Sequence, residues 1–163
     1  MRAERTGIVA AWLLVILVVA YAVTGFERTL REGQLVLLEL APVDPRSLMQ
    51  GDYMALRFAV DAQLPRKEQP LPAYAYLHIG AGGRAVLAGT GSQPAAEPGV
   101  VSMRIRRGAG GASVGPNAFF FQEGTDAVYE QARWGGFRVA DDGTALLAAL
   151  YDENLQLLGS NRR

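Results

Sequence analysis

Side chains that can do chemistry are scarce in this sequence of 163 residues, which contains no cysteine and a single histidine, His78. The absence of cysteine excludes disulfides, thiolate nucleophiles and cysteine-ligated metals. His78 lies in the strand-like run Tyr74–Ile79 without clustered carboxylates. We therefore predict a half-exposed strand residue there and no metal site. Carboxylates, arginines, serines and one lysine remain as groups for catalysis or binding.

Three carboxylates, Asp44, Asp52 and Glu123, are the acid–base candidates, with Arg46 and Arg133 near them in the sequence. Acid–base catalysis needs two carboxyl groups that lie close together and have separated pKa values. The positions of these residues along the chain leave their separation open. An aspartate beside proline or glycine also starts turns and orders loops. We favour that structural role for Asp44 and Asp52.

A serine–lysine dyad is the second chemistry to consider, and it requires a neutral amine within hydrogen-bond reach of a hydroxyl. The one lysine, Lys67, lies in a polar loop bounded by prolines. A lysine in a solvated loop keeps its charge and its mobility, which makes Ser47 with Lys67 a weak pair. We predict no catalytic residue, no metal and no cofactor.

Aromatic residues are concentrated between Phe119 and Phe137. They either pack in the core against a short helix or form an exposed groove, since aromatic side chains anchor interfaces disproportionately. Three consecutive phenylalanines on a strand must send at least one ring to the opposite face. We predict partner surfaces at the loop 42–52 and at residues 119–138, where Phe121 and Trp134 supply apolar contact. The candidate binding residues are Asp44, Arg46, Asp52, Phe121, Glu123, Arg133 and Trp134.

The N-terminal segment 6–26 has 21 residues and no charge, and about 20 apolar residues span a bilayer core of roughly 30 Å as a helix. We predict a transmembrane anchor preceded by a cytoplasmic N-terminus at 1–5 and followed by a juxtamembrane turn at 27–33. Arginines flank the span almost equally, so the orientation rests on the shortness of the leading segment. The alternative is a signal peptide cleaved after Ala20-Tyr-Ala22, although the apolar run continues beyond it.

The remaining residues, 34–163, are predicted to form one extracytoplasmic domain. Tyr53–Val60 alternates, with Met54, Leu56, Phe58 and Val60 on the buried face, which is typical of a half-buried strand. One short helix is predicted between a Thr125 cap and Gly135-Gly136, and the glycine-rich segment 108–117 is predicted to be irregular. The other predicted strands are Gln34–Ala41, Tyr74–Ile79, Arg84–Thr90, Val100–Arg106, Ala118–Gln122, Phe137–Ala140, Thr144–Tyr151 and Leu155–Leu158. The predicted fold is mainly β, an antiparallel sheet or partial barrel with one short helix, preceded by one transmembrane helix.

The run Gly51-Asp52-Tyr53-Met-Ala-Leu56-Arg-Phe58 resembles the signature of the GDYXXLXY family, with Phe58 where the pattern ends in tyrosine. Pro42–Leu48, Phe119–Gly124 and Ala132–Trp134 resemble further parts of that family. The resemblance implies a membrane-anchored bacterial protein of unknown activity. Because members are often encoded beside polytopic membrane proteins, it also implies such a protein as a partner.

A second resemblance is to bacterial type I signal peptidases, which share an anchor followed by a Gly-Asp motif, a lysine-bearing strand and a Ser-Arg-Tyr-Trp-Gly motif. Gly51-Asp52, Met103–Arg107 and Gln131–Gly135 are similar to these motifs. The catalytic dyad does not carry over, because Val43 stands at the serine position and the lysine strand has arginine, a poor general base. The resemblance implies a signal-peptidase-like β fold without the dyad.

The charges balance at 16 basic and 16 acidic residues, without a like-charge block that would favour nucleic acid. We expect a non-catalytic binding or assembly module of the bacterial envelope, held in the cytoplasmic membrane with its C-terminal domain periplasmic. The alternative is a divergent serine peptidase of signal-peptidase descent. A periplasmic ligand-binding domain is a third hypothesis, for which the sequence offers no convergent polar pocket.

Overall fold

A computed structural model describes residues 2–41, 53–65, 70–108, 111–122 and 124–160. Within these ranges the helices are α1 (Arg2–Glu32) and α2 (Asp126–Tyr129), with 3₁₀ turns at Ala59–Gln63 and Ala81–Gly83. The strands are β1 (Gln34–Glu39), β2 (Tyr53–Ala55), β3 (Tyr74–Ile79), β4 (Ala85–Gly91), β5 (Val100–Arg104), β6 (Arg106–Gly108), β7 (Gly111–Ser113), β8 (Ala118–Phe120), β9 (Trp134–Val139), β10 (Ala145–Tyr151) and β11 (Leu157–Ser160).

The strands form antiparallel sheets, which confirms the predicted mainly β fold class. One sheet has the order β1-β9-β10-β11, and a second has the order β4-β3-β5. Two-stranded ribbons are formed by β2 with β8 and by β6 with β7. The strands of the described ranges do not close into a barrel. The predicted hairpins β3–β4 and β9–β10 are both present.

Helix α1 is 31 residues long, and its large apolar side chains from Ile8 to Phe26 are at least half exposed. The most apolar 18-residue window of its part Gly7–Glu32 has a mean hydropathy of 2.5, and none of that window is buried in the fold. This helix is therefore long and apolar enough to cross a membrane. A signal sequence at an N-terminus meets the same criteria.

The C-terminal end of α1 is packed onto the main sheet. Thr29 is buried, and the guanidinium of Arg138 donates a hydrogen bond to the carbonyl oxygen of Gly33 at 3.1 Å. A Cβ at Gly33 would collide with the carbonyl of Thr29 and lie 3.1 Å from the backbone of Val139. Glycine is needed here because the helix end and β9 approach too closely for a side chain.

The core confirms the predicted alternation, although β2 ends early. Met54, Leu56, Phe58 and Val60 are all buried, but the strand stops at Ala55 and a 3₁₀ turn begins at Ala59. Between them the backbone stays extended through isolated pairings, Leu56 with Asn117 and Leu40 with Phe58. The ring of Phe58 meets that of Phe137 edge-on, with centroids 5.1 Å apart.

Two predictions about glycines are wrong. Gly135-Gly136 does not end a helix: α2 stops at Tyr129, and both glycines lie in β9. A Cβ on Gly135 would lie 2.9 Å from the Phe58 ring, and one on Gly136 would lie 2.6 Å from the Tyr151 ring. The glycines therefore make room for aromatic rings over the strand.

The glycine-rich segment is also more regular than predicted, because β6 and β7 pair as a hairpin, with Arg106 opposite Ser113. Asp61 fastens this hairpin to the 3₁₀ turn. Its carboxylate accepts hydrogen bonds from the Ser113 hydroxyl at 2.8 Å and from the Val114 N–H at 3.0 Å. These long-range bonds order a segment whose composition alone favours irregular structure.

Two carboxyl groups have shifted pKa values, in opposite directions. Burial raises the pKa of Asp61, and the hydrogen bonds from Ser113 and Val114 oppose part of the rise. At Asp142, in the β9–β10 turn, the hydrogen bond from the Thr144 N–H is the main cause that lowers the pKa, with help from the Thr144 hydroxyl and Arg104.

We predict that Gly135→Ala lowers the free energy of unfolding by about 1–3 kcal/mol, because the added methyl group overpacks the core beside Phe58. The matched control is Gly89→Ala in β4, where the new Cβ would lie 3.7 Å from the Tyr76 ring, an ordinary contact. That change should alter stability by less than about 0.5 kcal/mol. Thermal unfolding of the detergent-solubilised chain, followed by circular dichroism, measures both. Equal losses in the two variants would contradict the prediction.

We also predict opposite pH dependences for Asp61→Asn and Asp142→Asn. The raised pKa of Asp61 gives stability that is present below the ordinary aspartate pKa and is lost as the pH rises through the raised pKa. The melting temperature of Asp61→Asn relative to wild type should therefore increase between about pH 3 and 6. The lowered pKa of Asp142 gives stability that is lost as the pH falls through it. The melting temperature of Asp142→Asn relative to wild type should decrease over the same rise in pH. If both relative melting temperatures changed with pH in the same direction, the opposite pKa shifts of Asp61 and Asp142 would be refuted.

Candidate functional site

The residues predicted for the loop 42–52 lie outside the described ranges. This holds for Asp44, Arg46 and Asp52, and for Ser47 of the proposed dyad. Glu123 and Lys67 lie outside them as well. The carboxylate pair and the serine–lysine pair, both of which the sequence analysis disfavours, are therefore not described by the structure. Among the predicted binding residues the structure describes Phe121, Arg133 and Trp134.

Phe121 and Trp134 are half-buried, and each has a partner within the chain. The ring of Phe121 stacks on Tyr129 with centroids 5.0 Å apart and an interplanar angle of 25°. The Trp134 ring lies under the guanidinium of Arg84, 5.1 Å from its centroid. Each aromatic side chain thus presents only part of its surface to solvent.

Arg133 is exposed and binds the backbone next to it. Its guanidinium donates hydrogen bonds to the carbonyl oxygens of Ala132 at 2.9 Å and of Glu130 at 3.4 Å. The backbone N–H of Arg133 also donates to the carbonyl of Tyr151 at 2.8 Å. These contacts join the turn after α2 to strand β10.

The α2 patch, defined as Phe121, Val128, Tyr129 and Leu157, is an apolar surface on neighbouring elements. Helix α2 packs beside β11, and the Tyr129 ring lies over Gly159, where a Cβ would collide with it. Val128 is 43% exposed and Leu157 is 59% exposed. Within the described ranges, strand β11 is an edge of the main sheet, so the patch includes a residue of an edge strand.

The most exposed aromatic ring of the Phe119–Phe121 run is Phe120, which the sequence argument did not single out. Phe119 is buried and lies 5.4 Å from Tyr129, on the side where Phe121 also stacks. Phe120 points the opposite way, is 71% exposed and lies 5.9 Å from the Tyr53 ring. Strand alternation predicts this orientation, because the middle one of three consecutive residues lies on the opposite face from the other two.

Phe120 borders an open groove of about 400 Å³ between the end of α1 and the β domain. The groove is lined by Phe26 and Leu30 of the helix, by Phe119 and Phe120 of β8, by Leu146 of β10 and by Arg106 of β6. We call it the junction groove. Its walls are mainly apolar, and Arg106 supplies a positive charge.

Titratable groups do not gather in the described part of the chain. No group of three or more His, Cys, Asp or Glu side chains occurs there in metal-binding proximity. His78 is exposed on β3, as expected of a strand residue that faces solvent. At the end of β5, the guanidinium of Arg104 pairs with the Asp142 carboxylate at 3.1 Å.

Comparison with known proteins gives one family. The family model described as GDYXXLXY protein matches residues 15–150. No curated protein and no solved structure matches the chain, and the resemblance to type I signal peptidases stays a prediction. The match covers most of the sequence, including the end of α1, the Tyr53–Phe58 segment and strands β1 to β9. The chain therefore belongs to the GDYXXLXY family.

Proposed function

We propose that this chain is a single-pass protein of the bacterial cytoplasmic membrane whose extracytoplasmic domain binds another envelope membrane protein without catalysing a reaction. The observation that carries the proposal is the α2 patch. Val128, next to Tyr129 on α2, and Leu157, two residues before Gly159 on the edge strand β11, are exposed apolar side chains, and the Tyr129 ring that stacks on Phe121 lies over Gly159. Aromatic anchors surrounded by apolar neighbours are typical of protein interfaces.

The packing within the patch supports an interface because it fixes the aromatic rings in advance. Phe121 is held against Tyr129, and Tyr129 is held against β11 at Gly159. Rings that are already ordered lose little conformational entropy when a partner binds. The Tyr129 ring lies over Gly159 of β11, an edge strand among the described residues, and an edge strand suits a partner that extends the sheet.

The proposal takes α1 as an uncleaved anchor that continues into the domain. The helix runs through Ala20–Ala22 without interruption, and its end is fastened to the sheet by Thr29, Gly33 and Arg138. A helix that is part of the domain's packing places the domain directly at the membrane surface. A partner in the same membrane then needs only a short extramembrane segment to reach the α2 patch.

The alternative is a divergent serine peptidase, whose candidate dyad, Ser47 and Lys67, lies outside the described ranges. Asp61 is committed to ordering the β6–β7 hairpin, and Asp142 is committed to its turn with Thr144 and Arg104. A peptide-hydrolysis activity of the solubilised chain that is lost in Lys67→Ala would favour the peptidase and overturn the binding module.

We predict that Leu157→Glu lowers the recovery of a specific membrane-protein partner in detergent co-purification by at least about tenfold. The matched control is Val86→Glu, which places the same charge on another exposed strand residue, 64% exposed in wild type and outside the α2 patch. Circular dichroism should show both variants folded. Equal recovery with the two variants would exclude the α2 patch as the interface.

We predict from the proposed orientation that a membrane-impermeant maleimide labels Glu97→Cys in intact spheroplasts but labels Ala3→Cys only after permeabilisation. The natural chain lacks cysteine, so each variant has one reactive site. Labelling of Ala3→Cys without permeabilisation would reverse the orientation. Loss of about 2 kDa together with the Ala3→Cys label would show a cleaved signal peptide instead of an anchor.

A further inference from the structure

The junction groove opens at the level where the apolar part of α1 ends. Phe26 is the last residue of the uncharged stretch 6–26, and Leu30 follows one helical turn later, about 6 Å further along the axis. Both side chains line the groove, together with Phe120 of the domain. Phe26 is 53% exposed and Phe120 is 71% exposed. The groove therefore continues the apolar surface of the spanning helix onto the domain.

Arg106 lines the groove, and its guanidinium forms no ion pair with a carboxylate among the described residues. The other arginines near the junction have partners. On the helix, Arg28 pairs with Glu32 at 2.8 Å, and Arg31 lies 3.9 Å from Glu27. In the domain, Arg104 pairs with Asp142 and Arg138 donates to the carbonyl oxygen of Gly33. The groove thus combines apolar walls with a single uncompensated positive charge.

We propose that the junction groove binds a phospholipid of the leaflet on the domain side. The upper part of one acyl chain lies against Phe26, Leu30 and Phe120, and the phosphate accepts hydrogen bonds from the guanidinium of Arg106. An acyl chain matches the apolar walls, and a phosphate matches a planar guanidinium with several donors. A purely apolar occupant would leave the charge of Arg106 without a counterion.

The dimensions fit a part of a lipid. Small-molecule sites in proteins commonly enclose about 300–1,000 Å³, and the junction groove, at about 400 Å³, is small and open on one side. It holds a segment of one chain while the rest of the lipid stays in the bilayer. Occupancy fixes the angle between α1 and the β domain, because the lipid contacts residues of both.

The test is native mass spectrometry of the full chain released from micelles that contain either phosphatidylglycerol or diacylglycerol with the same acyl chains. The wild-type chain should retain phosphatidylglycerol and not diacylglycerol. Arg106→Gln should reduce retention about tenfold, since it removes the charged donor. Its matched control is Arg107→Gln, an exposed neighbour on β6 that does not line the groove and should stay within about twofold of wild type.

A second pair of variants tests the apolar wall. Phe120→Ala should also reduce retention, whereas Val86→Ala, at a residue of β4 that is 64% exposed, should not. Equal losses for Arg106→Gln and Arg107→Gln, or equal retention of diacylglycerol, would overturn the proposal. So would photocrosslinking in native membranes from residue 120 to a polypeptide instead of to a phospholipid. The variants of the α2 patch leave the groove intact, so a failure here is distinct from a failure of the proposed interface.

Discussion

The edge-on contact between Phe58 and Phe137 joins the main sheet to the segment that follows β2. Phe137 belongs to β9, at the centre of the main sheet, whereas Phe58 follows β2 and forms the bridge to Leu40. Both rings are fully buried. Their space exists because residues 115 and 135 are glycines, at which a Cβ would collide with one or both rings. The strand pairings around them depend on this close approach, since protein cores are packed to crystalline density and do not yield by a methyl group without cost.

Part of the family motif has a structural role in the core around this contact. Leu56 and Phe58, its sixth and eighth residues, are buried in the core. Tyr53, its third residue, pairs in register with Phe120 across the β2–β8 ribbon. These described residues of the motif position the ribbon, and through it they orient Phe120 toward the end of α1. The motif residues therefore help to form the junction groove indirectly, because they position the strand that carries Phe120.

The end of α1 is the second place where backbone proximity governs the architecture. Gly33 lies so close to Val139 that the helix passes directly into β1 at the side of β9. A helix joined to a domain by a long flexible linker would leave the domain free to turn, whereas a packed helix end restricts it. In the two proposals, the side with the junction groove faces the membrane and the α2 patch faces a partner.

The sequence by itself determined the features that depend on local patterns. The uncharged stretch 6–26 specifies the long apolar helix, the alternation at 54–60 specifies which side chains are buried, and the Asp-Asp-Gly turn specifies the β9–β10 hairpin. Only the tertiary structure decided where Gly135-Gly136 lie and that the β6–β7 hairpin forms. The first depends on the rings of Phe58 and Tyr151, and the second on Asp61, which binds Ser113 across 52 positions of the chain. Likewise, the partners of Arg104 and Arg138 are set by contacts between distant segments. Local periodicity carries no information about such contacts, because they arise only when separate elements are packed together.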